Sequence, residues 1–216
     1  MKEKNCILIG AGDLTVSEIP IGEEDLCIAV DGGFEYCKLL EIVPDFIIGD
    51  LDSTGEEQAK TIAEIAKTAE DRVIILPTKK DDTDMLAAIK LGLSEGCRNF
   101  RIYGGMGGRL EHTIANIQCL LYLKEHNAVG YLMDGTGMIL VAKEETISFR
   151  ENLEGYLSIF SMGDSCKLSL DNLKYTLKEK EIQNSYPLGI SNEFLEGQKA
   201  TVTVHEGTAL LILNLV

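Results

Sequence analysis

Between residues 6 and 135 the chain repeats one pattern, in which a short and continuously apolar run is followed by a stretch with 3.6-residue periodicity. The runs are CILIG, LCIAV, FIIGD, VIIL and NFRIYGG, with AVGYLMDG closing the series. Runs that are apolar throughout, instead of alternating, suit strands covered on both faces by helices. The intervening periodic stretches predict helices over about 32–41, 55–69, 83–95 and 110–126. Few folds accept this alternation, and it points to an α/β domain with a mostly parallel sheet. Ligands of such sheets sit beyond the carboxyl ends of the strands. The loops that follow the strands are DGG, GDLDS, KKDDTD and GGMGGR, and these are where chemistry is to be sought.

After AVGYLMDG the pattern changes to short β-type runs: MILVA, TISFR, YLSIFS, CKLSL, KYTLK, ATVTVH and ALLILNLV. Turn residues separate them every eight to twelve positions or so, which suggests a C-terminal all-β antiparallel sandwich or barrel. The boundary falls at DGTG, giving an α/β domain over 1–135 and a β-sandwich over 136–216. A β domain of about 80 residues is marginal alone and is expected to pack on its neighbour or on a second subunit. The whole chain of 216 residues is thus read as two domains.

Charge removes several functions. Twenty Lys and Arg against 35 Asp and Glu leave a net charge of −15, a field that repels nucleic acid and anionic lipid. It also repels a nucleotide triphosphate, so such a ligand needs a metal ion and a few locally placed cations. The six cysteines lie in apolar runs or apart, with none in a CxxC pair; they read as small buried hydrophobes in a reducing compartment. The three histidines, His112, His126 and His205, are scattered and form no zinc spacing. The first apolar stretch is too short for a signal peptide and no run spans a membrane, so a cytoplasmic location is expected.

FIIGDLDS places Asp50 and Asp52 two residues apart, and in extended chain such a pair projects to one side. Two carboxylates there suit Mg²⁺, which keeps waters and phosphate oxygens among its ligands. A polar strand-to-helix loop with Ser53 or Thr54 as cap has the same sequence signature. KKDDTD puts Asp81, Asp82 and Asp84 around a helix start that Thr83 or Asp82 can cap, so these acids also serve as complements to the helix dipole. Lys79 and Lys80 directly before them supply the local positive charge a polyphosphate requires here.

GGMGGRLEHTIAN joins four glycines to a helix start. The glycines allow close approach of backbone to a ligand, and the free N–H groups of the helix favour an anion. Counting about 100° per residue, His112, Thr113 and Asn116 fall within about 60° of Arg109, while Leu110, Ile114, Ile117 and Leu121 form a stripe roughly 110° away. A solvated helix face after a flexible turn would give the same wheel. GAG at 10–12 fails as a dinucleotide fingerprint because the third glycine position holds Thr15. It reads as a strand-end turn bordering the site, as does Asp31-Gly32-Gly33. In the β half, Ser191 and Asn192 offer neutral hydrogen-bonding groups beside Leu188, Ile190 and Phe194, in a segment that otherwise reads as a turn.

Taken together the chain resembles the thiamine pyrophosphokinase family. The motifs are DGG at 31–33, PDFIIGDLDS at 44–53, KKDDTD at 79–84, GGMGGRLEHTIAN at 104–116, NLKYTL at 172–177 and GISNE at 189–193, in the family's order. The resemblance implies transfer of diphosphate from MgATP to the thiamine hydroxyl, with AMP released. It also implies a homodimer with active sites between subunits. Residue by residue, it implies Mg²⁺ on Asp50, Asp52 and Asp84, with Asp31 close by. Lys80, Thr83, Ser53 and Arg109 would hold the phosphates, His112 and Asn116 would belong to the same motif, and Ser191 and Asn192 would lie by the thiamine ring. Asp84 and Asp81 are both candidates to accept the hydroxyl proton, and neither is assigned as the base. One departure is Glu111, where the family usually has Asp; if the helix starts at Arg109 the wheel puts it on the far side of the polar patch, so either it is peripheral or the helix begins later.

The rival is a phosphatase of the haloacid-dehalogenase type, because FIIGDLDST also resembles that family's DxDx[ST] strand end with Asp50 as nucleophile. Against it, the motif arrives after two earlier strands and the chain then turns into a β domain. A non-enzymatic thiamine- or nucleotide-binding module is the third reading.

Overall fold

The structure, a computed structural model, describes residues 4–50 and 55–216. The chain divides into two compact units between Gly135 and Thr136.

In the first unit six strands form a parallel sheet: β1 (Asn5–Ile9), β2 (Leu26–Val30), β3 (Phe46–Gly49), β4 (Val73–Ile75), β5 (Asn99–Tyr103) and β6 (Val129–Met133). Their order is β6-β5-β1-β2-β3-β4. Four helices connect them: α1 (Gly33–Leu39), α2 (Glu56–Thr68), α3 (Asp84–Ser94) and α4 (Leu110–Glu125). The expected helices are all present, each within about two residues of its anticipated ends. Cys6, Ile7, Leu8 and Ile9 are fully buried, as are Phe100 and Ile102 on the neighbouring strand, so the central strands are covered on both faces as their apolar runs require. All six cysteines are free and buried.

The strand order fixes where a ligand can sit. From β1 the chain winds outward through β2, β3 and β4, then returns to β1's other side with β5 and β6. Connections leaving β1 and β5 therefore diverge to opposite sides of the sheet, and a crevice opens between their carboxyl ends.

The helical wheel of α4 turned out differently from its sequence reading. Its buried residues are Asn116, Cys119, Leu120 and Leu123, whereas Leu110 is 71% exposed and Ile114 51%. A polar Asn116 on the buried face is affordable only with a partner, and its amide donates to the Gly105 carbonyl at 2.7 Å.

The second unit consists of β7 (Gly137–Lys143), β8 (Thr146–Ser148), β9 (Gly155–Ser161), β10 (Ser165–Asp171), β11 (Leu177–Gln183), β12 (Gly189–Glu193), β13 (Thr201–Glu206) and β14 (Thr208–Leu215). Its antiparallel sheets are ordered β12-β9-β14-β7 and β11-β10-β13-β8. Alternating burial along β10 and β14 is the mark of strands with one face on a sandwich core. One strand is displaced from the sequence reading and one escaped it. β11 starts at Leu177, later than KYTLK suggested, and its sequence LKEKEIQ buries only Ile182 fully. β12 lies in the segment read as a turn; it is an edge strand whose pairing with β9 shifts register between Gly189 and Asn192. Edge strands that are polar and irregular carry little hydrophobic signal.

Among the described residues no helix is long and apolar enough to cross a membrane.

Candidate active site

The loops leaving β1 and β5 are fastened to each other by backbone alone. Gly10 N–H donates to Tyr103 O at 2.8 Å, Gly12 N–H to Gly104 O at 2.8 Å, and Asp13 N–H to Met106 O at 2.7 Å. This contact needs glycine on both sides: a Cβ on Gly10 would lie 2.7 Å from the Gly104 carbonyl oxygen, and Gly104 itself has φ +59°. GAG is thus half of a clasp with GGMGG. The Tyr36 hydroxyl adds a bond to Gly12 O at 2.9 Å.

The clasp borders a cavity of about 360 Å³, lined by the glycines of both loops together with Asp31, Thr83, Asp84, Arg109, His112 and Asn116. Four loops from different crossovers meet there. Asp31 follows β2 in left-handed conformation, φ 51°, and its N–H is held by Ile48 O at 2.8 Å. Thr83 caps α3, its hydroxyl accepting from Leu86 N–H at 3.2 Å, and this turn carries Asp84 into the lining. Arg109 is the residue that precedes α4, so the start of that helix faces the same space.

Asp50, directly after β3, and Asp84 are joined through one ammonium group. Lys80 Nζ lies 3.5 Å from Asp50 Oδ2 and 3.2 Å from Asp84 Oδ1, and it donates to Pro77 O at 3.1 Å. Partial burial disfavours the Lys80 ammonium, but hydrogen bonding and attraction from Asp84, then Asp50, outweigh it and raise its pKa. Asp84 Oδ1 is closed off from solvent and has no hydrogen bond of proper geometry, so the Lys80 ion pair is its compensation. A sealed carboxylate oxygen of this kind, beside a second carboxylate, is a hard oxygen donor set suited to Mg²⁺. Among the described residues no three His, Cys, Asp or Glu side chains gather closely enough to hold a metal ion. Asp52 and Ser53 lie outside the described residues.

The remaining expected residues separate into groups. Asp81 is exposed and does not line the cavity. Asp82 is engaged by Lys90 at 2.5 Å on the flank of α3. Glu111 is peripheral: the helix begins at Leu110, and Glu111 Oε1 takes Arg109 Nε at 2.8 Å with both side chains mostly in solvent. Its carboxyl is held below the usual range, first by its own backbone N–H and then by Arg109.

Ser191 and Asn192 lie in the second unit. Ser191 is exposed, with φ 55°, and its N–H donates to Ser158 Oγ at 3.0 Å. Asn192 is only 5% exposed. Its Oδ1 accepts from Tyr175 N–H and Glu193 N–H, both at 2.9 Å, and its Nδ2 donates to Tyr175 O at 2.7 Å. The amide therefore grips the backbone of Tyr175, a residue that is 60% exposed. Lys174 completes the link, reaching Glu193 Oε1 at 2.6 Å and standing 5.8 Å from the Tyr175 ring centroid. Sequence reasoning passed over Tyr175 because KYTLK read as strand; its only signal was an aromatic among polar residues.

An open parallel sheet with a glycine clasp, a helix start and paired acids beyond its strand ends defines an α/β protein of the kind whose ligands sit at the switch point, here carrying an antiparallel β unit. Known proteins narrow this class. The family model described as thiamin pyrophosphokinase, catalytic domain, matches residues 20–132, and that described as thiamin pyrophosphokinase, vitamin B1 binding domain, matches residues 144–209. Thiamine pyrophosphokinase of Bacillus subtilis (strain 168) is 28% identical over 193 residues, covering 88% of this chain and 87% of the relative. The crystal structure of thiamine pyrophosphokinase from Bacillus subtilis superposes with a TM-score of 0.85 at 26% identity, covering 98% of this chain and 99% of that one. Yeast thiamin pyrophosphokinase shares the fold, with a TM-score of 0.78 at 18% identity over 100% of this chain and 87% of that one. The chain belongs to the thiamin pyrophosphokinase family.

Proposed function

We propose that the chain is an ATP-dependent diphosphotransferase that moves the diphosphate of ATP onto the hydroxyl of thiamine, giving thiamine diphosphate and AMP. The observation that carries this reading is the presence of both family models, in order, on a chain whose cavity gathers Asp31, Thr83, Asp84, Arg109, His112 and Asn116 at the sheet's switch point. Residues 1–135 take ATP and Mg²⁺ in this account, and residues 136–216 take thiamine.

The reaction is attack of the thiamine hydroxyl oxygen on the β-phosphorus. The bond from that phosphorus to the oxygen bridging it to the α-phosphorus breaks, and AMP departs with the electron pair. Transfers of this kind depend mostly on alignment and charge neutralisation, so no covalent protein nucleophile is needed. Mg²⁺ bound to the polyphosphate would supply neutralisation of charge on the transferred group. Asp50, Asp52 and Asp84 are the residues to hold it, with Asp31 alongside. The glycine amides and the start of α4 suit the phosphate oxygens, as do Lys80, Thr83, Ser53, Arg109 and His112. Asn116 acts at one remove, by fixing the Gly105 carbonyl. For the hydroxyl proton, Asp84 lines the cavity and Asp81 does not, which favours Asp84. Ser191 lies open for the thiamine end, while Asn192 sets the Tyr175 backbone.

The working form is a homodimer with active sites between subunits, supported by the exposed apolar residues Leu110 and Ile114 on α4. A cytoplasmic location is supported by six free, buried cysteines. Incubation with ATP, Mg²⁺ and thiamine, followed by chromatographic identification of products, tests the reading: thiamine diphosphate and AMP are expected in equal amounts. Inorganic phosphate released from a phosphomonoester, with no AMP from ATP and thiamine, would instead favour a phosphatase using Asp50.

A further inference from the structure

We infer that Lys80 is a resident cation competing with the divalent metal for Asp50 and Asp84, so that the metal binds firmly only when a nucleotide's phosphates draw the lysine away. The inference rests on the metal reading given above and adds an order of events to it. Its basis is geometric. One ammonium stands 3.5 Å from Asp50 Oδ2 and 3.2 Å from Asp84 Oδ1, with a further hydrogen bond to Pro77 O at 3.1 Å. Two hydrogen bonds, to Asp50 Oδ2 and Pro77 O, and an ion pair with Asp84 thus engage one lysine head. The Asp50, Asp84 and Lys80 side chains are only 16%, 23% and 16% exposed, so solvent does little to screen one cation from another there. A divalent ion shared by the two carboxylates must come close to Nζ, where like-charge repulsion opposes it. A triphosphate in the adjoining cavity offers the ammonium new oxygen partners, and its departure frees Asp84 Oδ1, which has no other compensation in the described structure.

The test uses Mn²⁺ as the probe, with free Mn²⁺ followed by electron paramagnetic resonance on the full chain. Without nucleotide, Lys80→Gln should bind Mn²⁺ about tenfold more tightly than the unsubstituted protein, about 1.4 kcal/mol. With a nonhydrolysable ATP analogue the advantage should disappear. Lys80→Met should behave like Lys80→Gln, and either suffices if the other does not fold; Lys80→Arg, which keeps the charge, should not gain affinity. Equal or weaker Mn²⁺ binding by Lys80→Gln or Lys80→Met without nucleotide overturns the inference. Asp50→Asn separates the two levels of the argument. If it abolishes Mn²⁺ binding while the lysine variants gain nothing, the metal reading stands and the competition falls. If it leaves Mn²⁺ binding intact with and without the analogue, both fall.

Discussion

The cavity of the first unit and the Tyr175 segment of the second hold their polar groups in place by opposite means. Around the cavity, position comes from strand ends: β1, β2, β4 and β5 stop at one end of a parallel sheet, and the loops that follow them line the same space. Glycine backbone makes the clasp, and short acids complete it. In the second unit no common edge exists, because antiparallel strands end on both sides. There one buried amide, Asn192, makes three hydrogen bonds to fix a loop that would otherwise wander. Topology supplies rigidity in one case and a single side chain supplies it in the other, so the two regions should fail differently when altered.

The largest effect should come from the acids. Asp50→Asn or Asp84→Asn is expected to lower kcat/KM for diphosphate transfer on the order of 10³-fold, as loss of a group neutralising transition-state charge does elsewhere, with circular dichroism unchanged. Retention of most activity by purified Asp50→Asn would break the assignment of Asp50 to the metal site. Asp52→Asn should behave in the same way.

Gly104→Ala attacks the clasp itself. A methyl group on a residue at φ +59° facing the Gly10 carbonyl should destabilise the protein by about 2–3 kcal/mol. Urea titration of the variant measures this, and a midpoint equal to that of the parent would mean that the clasp is looser than its geometry.

Asn192→Ala tests the other means of support. Loss of the amide removes three part-buried hydrogen bonds to the backbone of Tyr175 and Glu193, which costs on the order of 1 kcal/mol. The KM for thiamine should rise several-fold while that for ATP stays nearly constant. A parallel rise in both would show the second unit to be a scaffold for the first and not a separate binding element.

The smallest effect belongs to the surface. Glu111→Gln removes a mostly solvated partner of Arg109, and exposed pairs contribute little. Less than about a threefold change in the KM for ATP is expected. A change of tenfold or more would mean that Glu111 orients Arg109 for the phosphates.

Much of this molecule could be read along the chain. Strands buried on both faces announce themselves as unbroken apolar runs, so β1, β2, β3 and β5 were visible as CILIG, LCIAV, FIIGD and NFRIYGG. The loop positions of Asp31, Asp50, Asp84 and the glycines followed from the alternation of strand and helix. The order of six motifs added the family. What stayed hidden was of another kind. The wheel of α4 separates residues by angle but cannot say which side meets the sheet, and Asn116 is buried while Ile114 is not because the Gly105 carbonyl lies on that side. β12 was missed because its pairing is made by β9 from about thirty residues away, with no apolar alternation of its own.

The amino-acid order by itself determined the change from α/β to antiparallel β near Gly135 and the residue types at each strand end, since these depend on local periodicity and turn chemistry. Only the tertiary structure decided that Lys80 would stand between Asp50 and Asp84, that GAG would clasp GGMGG, and that Asn192 would turn its amide toward Tyr175. Except for Lys80 with Asp84, four residues on, those contacts join residues far apart in the chain. Hydrogen bonds and ion pairs act over a few ångströms, so only packing of the sheet and its loops can select their partners.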